Sequence, residues 1–248
     1  MQTSQVVNVI KRMKINWEKL IFWVVLLTLV FSVIFVAVLL IKALTNPEEA
    51  HLLARTKGDY GLMLLQCFLG IAAMFLPALL EHRINIAIPS KMLIAYVLFL
   101  YGAIYLGEVR NFYFIIPHWD SILHGFSGGM LGALGYSVVI ILNKQDKIPM
   151  SLSPAFIAFF SFCFAITMGV IWEIYEFTVD GLLGLNMQKF LLENGSPLVG
   201  REALRDTMSD LIVDCIGALV VSMFGYISLK YKKGWVDRLL LRRKNKVK

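Results

Sequence analysis

Charged residues and cysteines are both scarce in this chain. Charged side chains make up 17% of its 248 residues, hydrophobic ones 58%, and the mean hydropathy is +0.71. A soluble domain has an apolar share nearer ~45–50%, so the composition predicts an integral membrane protein. Cys67, Cys163 and Cys215 stand singly in apolar stretches with no CxxC pair, which argues against a disulfide framework and favours three small core residues.

Motifs for nucleotide and serine-nucleophile chemistry are absent as well. The chain has no P-loop, no Rossmann glycine fingerprint and no Gly-x-Ser-x-Gly elbow, and it shows neither an internal repeat nor a low-complexity segment. The net charge of +7 does not indicate a nucleic-acid partner, because the basic residues cluster at the chain ends, where a membrane topology would place them.

Six apolar runs are long enough to cross the hydrocarbon core, which takes ~17–25 helical residues. They predict an all-α polytopic bundle: one transmembrane domain over 20–229, between a basic N-terminal segment 1–19 and a basic tail 230–248. The first run is longer than the ~7–15 residues of a signal-peptide core, so we expect an uncleaved anchor. The runs are 20–44, 60–80, 90–107, 121–142, 154–177 and 208–229.

The distribution of charge predicts the orientation of the bundle. With six spans both chain ends lie on one side, and that side carries 17 of the 24 basic residues but 4 of the 17 acids. The positive-inside rule therefore places both termini in the cytoplasm and a long connection, 178–207, outside. The basic tail mixes Trp and Leu with Lys and Arg, which is typical of a segment lying on an anionic inner leaflet.

This orientation brings ten ionisable residues to one depth. Four separate regions, at the outer ends of the third to sixth spans, carry them within or beside apolar sequence. Ionisable groups in such places are costly and usually mark a functional site. The ten are Glu108, His118, Asp120, His124, Glu173, Glu176, Asp180, Asp206, Asp210 and Asp214.

Helical spacing places these side chains on common faces. Asp206, Asp210 and Asp214 recur at i, i+4 and i+8, which stacks three carboxylates along one face of the sixth span. That face must point into the bundle, where Gly217 would allow close helix approach. The fifth span repeats the pattern with Glu173, Glu176 and Asp180 at i, i+3 and i+7. The fourth span carries Asp120 and His124 at i and i+4.

So many carboxylates facing one interior need positive charge or protons to neutralise them. Arg110, Arg201 and Arg205 are the arginines on that side, too few for eight acids. Oxygen ligands with some imidazole and no thiolate favour Mn²⁺, Mg²⁺, Ca²⁺, Fe²⁺ or Zn²⁺. The predicted metal ligands are Asp120, His124, Glu173, Glu176, Asp210 and Asp214, with His124 and Glu176 as proton-transfer groups and Glu108, Arg110, His118, Asp180 and Asp206 around them.

Several of these residues have a simpler structural interpretation that stays open from sequence alone. Asp120 and Asp206 could each cap the N-terminus of a span, where free N–H groups stabilise a carboxylate. His118 could be an interfacial residue beside Trp119. Glu108 and Asp180 stand near membrane ends and could be solvated.

Three blocks of the sequence resemble a known family. Glu108-Val-Arg110 followed by His118-Trp-Asp-Ser-Ile-Leu-His124-Gly, then Trp172-Glu-Ile-Tyr-Glu176, then Asp206-Thr-Met-Ser-Asp210-Leu-Ile-Val-Asp214, are similar to the uncharacterised bacterial YjdF-type inner-membrane proteins. Those proteins are in turn similar to VanZ-like proteins, a group linked to teicoplanin resistance. The resemblance implies a multi-pass bacterial inner-membrane protein and brings no established reaction with it.

Three functions fit the sequence. The first is a metal-dependent membrane hydrolase or transferase, open to the outer leaflet and acting on a lipid or lipid-linked envelope precursor. The second is a carrier or binding protein whose acids relay protons or bind a cation. The third is a structural protein whose acids pair with local arginines and enclose no cavity. The oligomeric state does not follow from the sequence.

Overall fold

The computed structural model describes residues 16–45, 57–143, 152–192, 195–235 and 240–243. Within them the predicted all-α membrane bundle is confirmed, since six helices are long and apolar enough to span a bilayer. A short helix, α4 (Phe112–Ile115), joins the third span to the fourth. The spans are α1 (Trp17–Thr45), α2 (Lys57–Arg83), α3 (Ser90–Val109), α5 (Trp119–Asn143), α6 (Pro154–Leu183) and α7 (Arg201–Lys230).

The spans form two groups. In α1–α3 the buried contacts are apolar, with Leu29, Met74 and Val97 at the centre of one cluster. In α5–α7 small residues bring the backbones together: a side chain at Gly128 would strike the backbone of Asp214. Such close packing is what holds membrane helices together where lipid offers no hydrophobic driving force.

The outer half of α3 is π-helical, over Tyr101–Val109. The wider turn is visible in the bond from the Arg110 amide to the Tyr105 carbonyl, five residues back, at 2.9 Å. The indole Nε1 of Trp119 donates to the carbonyl of Gly102 at 3.1 Å and so ties this segment to the start of α5. π-helical turns are rare and are frequent near functional sites.

The helices reach further outward than the apolar runs. Because α6 continues to Leu183 and α7 begins at Arg201, the outer connection covers 184–200 rather than 178–207. Gly200 is the N-cap of α7, with φ 62°, so Asp206 lies beyond the first turn and does not cap the helix. Asp120 also lies inside its helix, one residue after α5 begins.

Part of the C-terminal tail packs on the protein. A two-residue strand, β1 (Ile86–Ala87), follows α2 and pairs antiparallel with β2 (Arg242–Arg243). Leu241 is buried, and its amide donates to the Ser137 hydroxyl at 3.3 Å. This places residues 240–243 of the tail at the bundle end that holds the α2–α3 connection. The N-terminal segment 1–15 and residues 236–239 and 244–248 lie outside the described residues.

Candidate metal centre

Three buried side chains lie at the same height in three helices. His124 is 19 residues from the end of α5 at Asn143, Glu173 is 19 residues from the start of α6, and Asp210 is 20 residues from the end of α7. At 1.5 Å per residue these separations are about 30 Å. That is about the thickness of the hydrocarbon core, so the three meet near one membrane interface.

His124 stands at the centre of this meeting point and is 7% exposed. Its Nδ1 lies 3.3 Å from Oδ2 of Asp214. Its Nε2 lies 3.9 Å from Oδ1 of Asp120 and 4.0 Å from Oδ2 of Asp210. The Ser127 hydroxyl, one helical turn further along α5, also lies within 3.4 Å of Asp214 Oδ1. One imidazole is therefore surrounded by three carboxylates from two helices.

Two triads of candidate ligands overlap at this point. His124, Glu173 and Asp210 offer three ligand atoms within 4.8 Å of one another, and so do Asp120, Asp206 and Asp210. Asp210 belongs to both triads. A carboxylate has two oxygens, so it can bridge two ions, which lie ~3.5–4 Å apart in two-metal enzyme sites.

Asp210 keeps a buried oxygen without a protein partner. Glu173 is 5% exposed and Asp210 is 2% exposed. Among the described residues Asp210 Oδ1 makes no hydrogen bond, whereas the Thr207 and Gln188 side chains lie beside the Glu173 carboxylate. Nor does any described lysine or arginine nitrogen lie within 4.0 Å of Asp120, Asp206 or Asp210. Burying an unpaired carboxylate costs about 1–3 kcal/mol or more for each unsatisfied group. The donor set therefore fits a bound cation.

Two further predicted residues contact the edge of the cluster. Glu176 is half-buried one turn beyond Glu173, and its Oε1 accepts a bond of 2.9 Å from the Trp172 indole. Asp214 belongs to neither triad. Through its contact with His124 Nδ1 it instead fixes the orientation of the imidazole, leaving Nε2 to face the other carboxylates.

Four predicted residues lie apart from the cluster. Asp180 is buried and accepts the Met187 and Gln188 amides at 2.8 and 2.9 Å, so it anchors the outer loop. Glu108 accepts a bond from the Gln66 amide at 3.3 Å. Arg110 is exposed, and so is His118, whose φ is 60°.

Lys189 was missed by the sequence argument, which considered only arginines as counter-charges. It is the single basic residue of the 184–200 connection, and its Nζ lies 4.4 Å from the centre of the Tyr113 ring. Burial opposes its charge, yet nearby carboxylates, Glu108 and Asp120 foremost, outweigh that effect and raise the pKa of Lys189 above its ordinary value. The same acids add to burial in raising the pKa of the Tyr113 phenol. Only the folding of the loop, which its sequence does not reveal, brings Lys189 over the site.

An apolar groove begins at the cluster. It has a volume of about 670 Å³ and runs between the α1–α3 group and α5. Asp120, His124 and Glu176 line its outer end, while Tyr96, Phe99 and Met130 belong to its long apolar wall. The cluster is therefore continuous with a space that suits hydrocarbon.

Comparison with known proteins identifies relatives. No solved structure matches the chain. An uncharacterized protein of Thermotoga maritima is 30% identical over 156 residues, which cover 61% of this chain and 70% of that protein. The family described as "Predicted membrane protein (DUF2238)" matches residues 21–231, which include all six spans and the whole acidic cluster. The chain therefore belongs to the DUF2238 family of membrane proteins.

Proposed function

We propose that this membrane protein binds divalent cations at the Asp210 cluster and uses them as a membrane-embedded hydrolase or transferase. The observation that carries the proposal is the position of Asp210, which is shared by two ligand triads and keeps one buried oxygen without a hydrogen bond among the described residues. A carboxylate left in that state is stabilised when a cation binds it.

The side chains present suit hydrolysis of a phosphate ester. Bound divalent ions would polarise the phosphoryl oxygens and lower the pKa of a water. In that reaction the water oxygen forms a bond to phosphorus, the bond from phosphorus to the ester oxygen breaks, and the leaving oxygen takes up a proton. Our candidate to accept the proton of the water and return it is Glu176, which lines the groove beside Asp120 and His124. With Nδ1 facing Asp214, His124 would hold the ion through Nε2 and so would not carry the proton.

The substrate we propose is a lipid or a lipid-linked envelope precursor, since the cluster lies at a membrane interface and opens into an apolar groove. The resemblance to YjdF-type and VanZ-like proteins supports a role at the bacterial cell envelope, and the Thermotoga relative is bacterial. We accordingly place the protein in the bacterial inner membrane, with the cluster on the outer side, as the positive-inside rule predicts.

The other two functions receive less support. A cation carrier needs a polar path to the opposite side, but the groove below the cluster is lined mostly by apolar residues, and α5 and α7 pack there with Gly125 against Gly217, backbone to backbone. A purely structural role calls for carboxylates paired with arginines and no cavity. Among the described residues of the cluster, the ion pairs of Asp120, Asp210 and Asp214 are all with His124, and a cavity adjoins them.

Metal content measured on the purified protein tests the proposal. Detergent-purified wild type, incubated with Mn²⁺ and desalted, should retain one to two ions per chain, while Asp210→Asn should retain at most a tenth as much, because both triads lose their shared ligand. Glu202→Gln is the matched control, since Glu202 is an exposed acid on the same helix.

Retention by Glu202→Gln should equal that of wild type. Wild type that keeps no ion after separate incubation with Mn²⁺, Mg²⁺, Ca²⁺, Fe²⁺ and Zn²⁺ would overturn the proposal. So would an Asp210→Asn protein that keeps as much metal as wild type.

A further inference from the structure

The apolar groove beside the cluster has the shape of a site for one long hydrocarbon chain. Its lining on α5 extends from Asp120 to Val138. At 1.5 Å per residue this is about 27 Å, close to the ~30 Å thickness of the hydrocarbon core. The groove is therefore long enough to follow a chain through most of the membrane.

The walls of the groove are apolar along most of this length. Phe99 of α3 and Phe126 of α5 stack with their centres 6.4 Å apart and join the two helix groups beside it. Ala95, Ala103 and Ala133 are small residues in the lining and leave its width open. A site lined in this way suits a hydrocarbon chain, and the polar members of its lining outside the cluster are few, among them Lys91, Tyr96 and Ser127.

The two ends of the groove differ. The outer end holds Asp120, His124 and Glu176, and Tyr113 beside it carries the Lys189 ammonium over its ring. The inner end is bordered by Ile86 of β1 and by Leu241 of the tail, which β-pairing and the bond to Ser137 hold in place. Lys91 also lines the inner end, whose remaining lining is apolar. A carboxylate-lined end and a largely apolar remainder match a molecule with one head group and one tail.

Charge complementarity favours an anionic head group. Divalent ions on the cluster, together with Lys189 at the outer end, would face the head group with positive charge, and phosphate oxygens are ligands that such ions prefer.

We propose that the groove binds the single hydrocarbon chain of a lipid phosphate whose head group lies at the Asp210 cluster. This inference rests on the proposed function, because the cations supply the attraction for the phosphate. It adds the substrate class: a long-chain alkyl or isoprenyl phosphate ester, with Leu241 and Ile86 limiting the chain length that fits.

Photo-crosslinking tests the groove directly. The probe is hexadecyl phosphate with a diazirine at the end of its chain, added to the full-length protein in phosphatidylcholine nanodiscs with Mn²⁺. We expect crosslinks to the inner end of the groove, between Ile84 and Lys91 or at Leu241. The yield should fall at least tenfold without Mn²⁺ or when a four-carbon probe replaces the long one.

Filling the groove provides the matched variants. Ala133→Trp occupies its middle and should lower the crosslinking yield at least tenfold with Mn²⁺ retention unchanged. Ala95→Trp is a second variant at another height, in case the first fails to fold. Ile34→Trp on the lipid-facing side of α1, 57% exposed, should leave the yield unchanged.

The outcomes separate the two proposals. The groove inference would be overturned by crosslinks on the exposed faces of α1 and α2, or by a yield that neither tryptophan in the groove reduces, because the probe would then be surface lipid. The metal centre would still stand if Mn²⁺ is retained. Wild type that retains none of Mn²⁺, Mg²⁺, Ca²⁺, Fe²⁺ and Zn²⁺ would overturn the metal centre itself and, with it, the head-group part of the inference.

Discussion

The first three spans and the last three are alike in length and apolar character, but they bury different kinds of side chain. α1 buries Leu29 and Val36 against its neighbours and exposes most of its remaining surface. α5–α7 bury His124, Glu173 and Asp210 at one height. In a bilayer, apolar contacts between helices gain little over contacts with lipid, so the first group depends on close packing of ordinary apolar side chains.

The difference separates a group of ordinary apolar contacts from a group that carries an energetic cost. Buried acids destabilise a membrane bundle unless something binds them, so the second group carries a cost that only a function would justify. The groove lies at the junction of the two groups, where the apolar group contributes the walls and the polar group contributes the head-group site. The following predictions test this division of roles.

Close backbone packing should matter in the second group and not in the first. In Gly217→Leu the side chain would meet the backbone of Gly125, so α5 and α7 must separate. We expect a loss of about 1–3 kcal/mol of stability or more, and loss of Mn²⁺ retention, because the ligands separate with the helices. Gly61→Leu in α2 meets nothing within 4 Å and should behave like wild type. Thermal unfolding in detergent measures the stability of both variants. Equal effects of the two substitutions would contradict the distinction between the two helix groups.

Asp214 should act through His124 and not as a direct ligand. Asp214→Asn keeps the shape but removes the charge facing Nδ1, so we expect Mn²⁺ to bind about 10–100-fold more weakly, as when an outer partner of a ligand is lost. Ser32→Ala removes an equally buried polar group in the first group, bonded only within α1, and should change nothing. A Mn²⁺ titration measures both. A loss as complete as in Asp210→Asn would instead make Asp214 a ligand.

Asp180 should hold the outer loop in place without binding the ion. Asp180→Asn weakens two charged bonds to the Met187 and Gln188 amides, which are worth about 1.5–3 kcal/mol each. Proteolysis between 184 and 200 should become roughly tenfold faster, whereas Mn²⁺ retention stays within a fewfold of wild type. Glu202→Gln controls for loss of an outer acid. A proteolysis rate equal to that of wild type would contradict the anchoring role.

Lys189 should compete weakly with the cation. Lys189→Met removes a positive charge near the acids, and we expect about fivefold tighter Mn²⁺ binding. This is equivalent to about 1 kcal/mol, the size of the Coulomb energy between two unit charges screened by water. Lys57→Met, at the start of α2, is the control in the first group. Unchanged affinity in Lys189→Met would exclude competition.

The pH dependence of loop stability provides a second test of the role of Lys189. Because the pKa of Lys189 is raised in the folded protein, its charge stabilises the loop fully below pH 10.5, the ordinary value. That contribution is lost as pH rises through the raised pKa. The proteolysis rate of wild type should therefore increase in strongly alkaline solution, and that of Lys189→Met should not.

The sequence was sufficient for the spans and for the faces of the helices. Apolar length identified all six spans, and i, i+4 spacing brought Asp206 and Asp210 into the triads that the structure shows. Both features depend on local regularity of the helix, which sequence records directly. Whether those residues bind metal stays a prediction.

Features that depend on the path of a connection were not predictable. Lys189 reaches the cluster because Asp180 folds the loop back, and a loop of that composition has no pattern that indicates its path. The π-helical part of α3 is compatible with an ordinary apolar run. Leu241 packs into the bundle through a two-residue strand, too short to give any alternation in sequence.

The pairing of β1 with β2 has a consequence for biosynthesis. Residues 240–243 leave the ribosome after all six spans, yet they complete the inner border of the groove beside Ile86. The inner border of the groove is therefore complete only after residues 240–243 have been synthesised. A bulky fusion placed soon after Arg243 would interfere with that last step, while a fusion ahead of α1 would not.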